Sequence, residues 1–151
     1  MKFSAYALGA VLLLLSPFLF SGLSQRPDVP NLARSLLVQH TAAVRASGTN
    51  AGLTGVLTPV QIAAPAGFTA AGSWTSLIDR GAVITWVLPA AGSPVGSDAL
   101  IADLLAEDAG GTVGRKVSGS FQPARGGTAV PLTALVPDGA VVVLTQVRPA
   151  T

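Results

Sequence analysis

Apolar and polar positions alternate along this chain in three distinct ways, and each predicts a different kind of element. From Phe3 to Leu23 no residue is charged, and the run includes Leu12 to Leu15 and Phe18 to Phe20. Its 21 residues would make a helix of about 31 Å, the hydrocarbon thickness of a bilayer. From Leu32 to Val44 the apolar residues recur at helical spacing. Leu32, Ala33, Leu36, Leu37, Ala43 and Val44 fall within an arc of about 140°, with Arg34, Thr41 and Arg45 opposite. Asn31 is placed to cap this helix, which is expected to run to about Ala46 and stop at Ser47-Gly48. The third pattern is a set of short β-branched runs bounded by glycine and proline.

Ala82-Val83-Ile84-Thr85-Trp86-Val87-Leu88, between Gly81 and Pro89, reads most clearly as a strand. Trp74 to Ile78 before it is an edge strand or a helical turn, joined to it by the tight turn Asp79-Arg80-Gly81. Ser97 or Asp98 can cap a further helix to about Ala109, with Leu100, Ile101, Leu104 and Leu105 as its buried stripe and Gly110-Gly111 as its stop. Strands are then expected at Thr112 to Val117, Gly119 to Gln122, Thr128 to Leu132 and Ala140 to Val147, with turns at Gly126-Gly127 and Pro137-Asp138-Gly139. Thr49 to Ser73, rich in Gly, Ala, Thr and Pro, reads as turns around short extended pieces. This order predicts an α+β fold: an N-terminal membrane helix, then a small domain of two helices and an antiparallel sheet. The division falls after residue 25, with an apolar segment at 1–25 and an exported domain at 26–151.

The apolar segment has two readings, a retained signal-anchor and a cleaved secretory signal. Lys2 precedes it, Pro17 interrupts it, and small residues Ser21, Gly22 and Ser24 follow. Because no Ala-x-Ala site is present and the run exceeds a usual signal core, the anchor is favoured. Either reading exports the body in a bacterial cell. Lys2 on one side and Arg26 and Arg34 on the other leave orientation nearly balanced. A pilin-type leader is disfavoured, because no acidic residue precedes Asp28.

Composition then narrows the chemistry. At 151 residues the chain can bury one core. No cysteine is present, which removes disulfides, cysteine-type zinc sites, iron–sulfur clusters and thiol nucleophiles. The pI of about 9.7 does not signal a nucleic-acid binder. Beyond Pro27 seven basic residues face seven acidic ones, and only Arg115 and Lys116 adjoin. His40, the one histidine, falls in the apolar arc of its helix and is expected to be a neutral core residue bonded to backbone, or one at the helix edge, rather than a proton switch. Without a second histidine or a Gly-x-Ser-x-Gly elbow, serine-hydrolase chemistry has no base in place. Gly110-Gly111-Thr112-Val113-Gly114-Arg115-Lys116 enters a strand rather than a helix, so it is not a phosphate cradle. Glu107-Asp108 is the only adjacent carboxylate pair in the body; neighbours on a helix diverge by about 100° and read as a solvated end. Asp79-Arg80 reads as turn chemistry. Trp74 and Trp86 are expected to pack in the core, with anchoring of a protein partner as the other use. No catalytic, cofactor-binding or metal-ligating residue is assigned, and no cofactor is expected.

Ile84-Thr85-Trp86-Val87, the helix Ala99 to Ala106, Gly111-Thr112-Val113-Gly114, Gly127-Thr128-Ala129-Val130 and Val136-Pro137-Asp138-Gly139-Ala140-Val141-Val142-Val143-Leu144 follow one another in this chain. Taken in that order, they resemble the PilM family of type IVb thin-pilus systems. The Ala- and Gly-rich stretch from Asn50 to Gly72 departs from that pattern. The resemblance implies an accessory component of the pilus machine in the bacterial inner membrane, with its body in the periplasm. Its partners would be other pilus assembly proteins or pilins, and it brings no catalytic residues. The alternative is an exported soluble binding module or enzyme released by signal cleavage.

Overall fold

The computed structural model describes residues 29–89 and 96–147; the apolar segment Phe3–Leu23 and the linker before Val29 lie outside them. Helix α1, Val29–Thr49, starts earlier and ends later than its sequence signals suggest. Pro30 sits in its first turn, where a missing N–H costs nothing, so Asn31 lies inside the helix instead of capping it. At the other end Gly48 does not turn left-handed. The Asn50 N–H still donates to the Ala46 carbonyl, and the Thr49 hydroxyl donates back to the Arg45 or Ala46 carbonyl. Buried positions Ala33, Leu36, His40, Ala43 and Ser47 follow spacings of three and four, the seam of one helix face. Three of these five are Ala or Ser, so the helix axis lies close to the sheet.

The stretch expected to hold turns around short extended pieces contains one such piece, β1 at Gly55–Val56, and a short helix not expected there, α2 at Pro59–Ile62. Thr58 and Gln61 form a capping box around α2, with proline at its start. Thr-x-x-Gln with that proline is a helix-start signature present in the sequence. Strands β2, Thr75–Asp79, and β3, Ala82–Val87, form a hairpin whose turn residues Arg80 and Gly81 both have positive φ, the type I′ geometry that fits strand twist. β2 is flanked by β1, so it is not an edge strand.

Helix α3, Ser97–Ala106, stops short of Ala109 because Asp108 and Gly110 turn left-handed. Gly96 is its N-cap, without a side-chain bond. Asp98, in the first turn, pairs with Arg115 instead of capping. Strands β4 (Thr112–Val117), β5 (Ser120–Pro123), β6 (Val130–Pro131) and β7 (Val141–Gln146) complete the chain. The strand expected over Thr128–Leu132 shrinks to two residues, since Pro131 has no N–H to extend the ladder.

All pairings are antiparallel, in the order β1-β2-β3-β7-β4-β5-β6. β3 and β4 run parallel, joined through α3, with the last strand inserted between them. Val141, Val142 and Val143 are fully buried there, as a central strand covered on both faces requires. One face carries α1 and α3 through Ala33, Leu36, Leu100 and Leu104, packed on Val113, Val141 and Val143. The other face, Leu77, Ile84, Trp86, Val142 and Phe121, is closed by Val136 and Ala140 from the β6–β7 loop. Gly114 makes that closure possible: a Cβ there would strike the Gln122 carbonyl and come within 2.7 Å of the Phe121 ring. Among the described residues no helix is long and apolar enough to cross a membrane.

Candidate functional site

His40 is the one titratable side chain that the sequence pattern places in the core, and the structure buries it to 2% exposure. Its partners are hydroxyls on the sheet, not backbone groups. Nδ1 lies 3.0 Å from Thr85 Oγ1 and Nε2 lies 2.8 Å from Thr145 Oγ1. Thr85 Oγ1 is 2.9 Å from Ser76 Oγ, which accepts from Gln39 Nε2. Thr145 Oγ1 donates to the Gly110 carbonyl.

The direction of the whole chain follows from its ends. A carbonyl only accepts, so the single Thr145 proton is committed to Gly110 and Thr145 Oγ1 must accept from His40 Nε2–H. Nδ1 then accepts from Thr85, and Thr85 accepts from Ser76. The imidazole is neutral with its proton on Nε2. Burial away from water lowers its pKa from 6.5 to about 4, because desolvation penalises the charged form. Ser76 and Thr85 are fully buried, so a hydroxyl chain of nucleophile-like composition has no route to a substrate. It ties α1 to β2, β3 and β7.

The remaining singled-out residues serve packing and helix ends. Trp86 is in the core, whereas Trp74 is half-buried, its Nε1–H donating to Ser35 Oγ. The same Ser35 oxygen accepts the Ala71 N–H, which pins the Ala- and Gly-rich segment onto α1. Glu107 and Asp108 lie at the exposed end of α3, and Glu107 pairs with Arg34. Arg115 pairs with Asp98 at the other end of α3, and Arg125 donates to the Leu105 carbonyl. Such exposed pairs contribute little energy, but they spend three arginines on one helix. Asp79-Arg80 forms the β2–β3 turn.

Sequence reading missed Lys116. Its side chain is buried on the face opposite the helices, where Nζ donates to the Thr133 and Val136 carbonyls at 3.1 and 2.6 Å. Asp138 Oδ1 stands 3.9 Å away. The Lys116 main chain also exchanges bonds with Gly139 and Ala140. One lysine thus fastens the loop that closes the second face, and nothing in Arg115-Lys116 as a dipeptide signals it.

Two clefts flank the pinned segment. One, of about 520 Å³, lies between Leu37, Thr41 and Arg45 of α1 and the stretch Ile62 to Pro65. The other, of about 350 Å³, is lined by Gln39, Phe68 and Trp74 among others. Neither gathers carboxylates or a histidine, and among the described residues no group of acids and histidines could hold a metal ion.

The class defined by the described residues is therefore a small α+β domain, two main helices over one face of a seven-stranded antiparallel sheet. The pattern of the PilM family matches residues 23–144, and the chain belongs to that family. A crystal structure of PilM from Escherichia coli B7A shares the fold, with a TM-score of 0.60 over 82% of this chain and 96% of that one, at 19% identity. No curated protein matches the chain.

Proposed function

We propose that this protein is a non-enzymatic accessory component of type IVb pilus biogenesis. It is held in the bacterial inner membrane by Phe3–Leu23, with its body in the periplasm, and acts by protein contact in pilin transport or at the pilus base. Membership of the PilM family over residues 23–144 carries the reading. The sealing of His40, Ser76 and Thr85 from solvent supports a role played by surfaces. A membrane helix would raise the local concentration of such a domain near partners in the same bilayer.

Deleting the gene is expected to abolish or sharply reduce surface pili while pilin is still made. Restoring the body behind a cleavable signal, without Phe3–Leu23, is expected to rescue poorly although it is exported and folded. Normal piliation in the deletion strain would remove the assembly role, and full rescue by the soluble body would remove the tether.

A further inference from the structure

Six large aliphatic side chains stand exposed among the described residues, and four of them gather at one end of the sheet. Leu88 follows the last residue of β3, and Val117 ends β4. Val130 pairs beside Phe121 next to the β4–β5 turn, and Leu135 lies in the loop fastened by Lys116. Their exposures are 52%, 38%, 46% and 60%. Registers place them together, because the C-terminal ends of β3 and β4 and the N-terminal ends of β5 and β7 all point the same way. A Cβ on Gly139 would touch Leu88, which joins Leu88 to the Lys116-fastened loop.

The start of α1 lies at this same end. Ala33 and Leu36 pack near Val87 and Val141, whereas Ala42 and Ala43 pack on Val83 and Ile78. The helix therefore runs antiparallel to β3 and begins where β3 finishes. Only Ser24 to Asp28 separate Leu23 from Val29, at most about 20 Å even when fully extended. Among the described residues at this end, Asp138 accepts the Gly119 N–H beside Lys116, and Asp98 is paired with Arg115.

We propose that this end of the domain is a membrane-contact surface, with Leu88, Val117, Val130 and Leu135 seated against the bilayer that holds Phe3–Leu23. The proposal rests on the anchored reading above. Apolar side chains carried at that distance from an inserted helix reach the headgroup–acyl boundary, a layer about 5–10 Å deep. The tether supplies the proximity, and four residues then fix the domain's orientation.

The chain has no native cysteine, so single-site labelling reads this directly. Full-length Leu88→Cys and Leu135→Cys variants, with Arg45→Cys and Gln146→Cys at the opposite end, would each carry an NBD fluorophore in phosphatidylcholine–phosphatidylglycerol vesicles. Folding of each is checked by the near-ultraviolet ellipticity of the tryptophans. Blue-shifted emission, quenched by nitroxide-labelled lipids at 88 and 135 and water-like at 45 and 146, is the expected result. Water-like emission at all four sites, in protein that stays with vesicles after alkaline carbonate, would overturn the surface while leaving the anchor. Blue-shifted emission that nitroxide lipids do not quench would assign the patch to a second copy and overturn the proposal. Protein washed free of vesicles by carbonate would overturn the anchor and the surface with it.

Discussion

Acid should weaken this fold through His40, and the structure gives the size and sign. Folded, the imidazole titrates near pH 4; unfolded, it takes its ordinary value of 6.5. Between those values the unfolded chain binds a proton that the folded chain refuses, so lowering the pH through this window favours unfolding. Above pH 6.5 both states are neutral and the effect is constant. Below pH 4 both are charged and the loss is complete. A separation of this size corresponds to about 3 kcal/mol, a substantial part of the stability of a small domain. Two hydroxyls would have to reverse at the same time, since a protonated Nδ1 donates to Thr85 Oγ1 and Thr85 must then turn its proton toward Ser76. Thermal unfolding of the full-length chain, followed by near-ultraviolet ellipticity between pH 7.5 and 4, should show this decline. The His40→Gln and His40→Leu variants, which lose no more than about 1–3 kcal/mol for the stranded Thr85 hydroxyl, should lack the part due to histidine. Their pilus-assembly activity should be intact at matched folded levels. Nitrogen chemical shifts of the ring should show an unprotonated Nδ1 and a protonated Nε2. Parallel decline of wild type and His40→Gln across the window would refute the reasoning, as would a ring protonated at Nδ1 at neutral pH.

Lys116→Met keeps the aliphatic stem but leaves the Thr133 and Val136 carbonyls without their donor. A loss of about 2 kcal/mol is expected, with faster amide exchange at Val136 and Ala140 than at Val83. Gly114→Ala places a methyl against the Gln122 backbone and the Phe121 ring, where neither neighbour is a flexible chain end. A loss of about 3 kcal/mol, the upper range for overpacking, should appear in the melting temperature together with loosened β4–β5 pairing. Carbonate-washed membranes should retain the full chain with its N-terminus intact; mature protein beginning near Ser24 or Gln25 in the soluble periplasm would show cleavage.

Where periodicity is local, the elements are legible in the sequence. Leu32 to Val44 and Leu100 to Leu105 show helical spacing, and Ala82 to Leu88 is β-branched and bounded by Gly and Pro; each run lies in the expected element, except that the strand ends at Val87. The tight turn at Arg80-Gly81 and the apolar run before Thr145 are equally legible. Boundaries are not. Helix ends depend on which orphan groups find partners, and at the end of α3 the Leu105 carbonyl takes its donor from Arg125, in the turn after β5.

The sequence by itself settled that a neutral, cysteine-free body buries one amphipathic helix and a set of short strands behind a long uncharged segment. It also placed His40 in the apolar arc of that helix. Only the tertiary structure decided that β7 lies between β3 and β4, that Thr85 and Thr145 hold the imidazole, and that Lys116 closes the second face. It alone brought Leu88, Val117, Val130 and Leu135 to the end where α1 begins. The physical reason is that apolar spacing tells which side of an element avoids water, whereas it carries no information about which other element that side will meet. His40 and Thr145 are 105 residues apart in sequence and 2.8 Å apart in space.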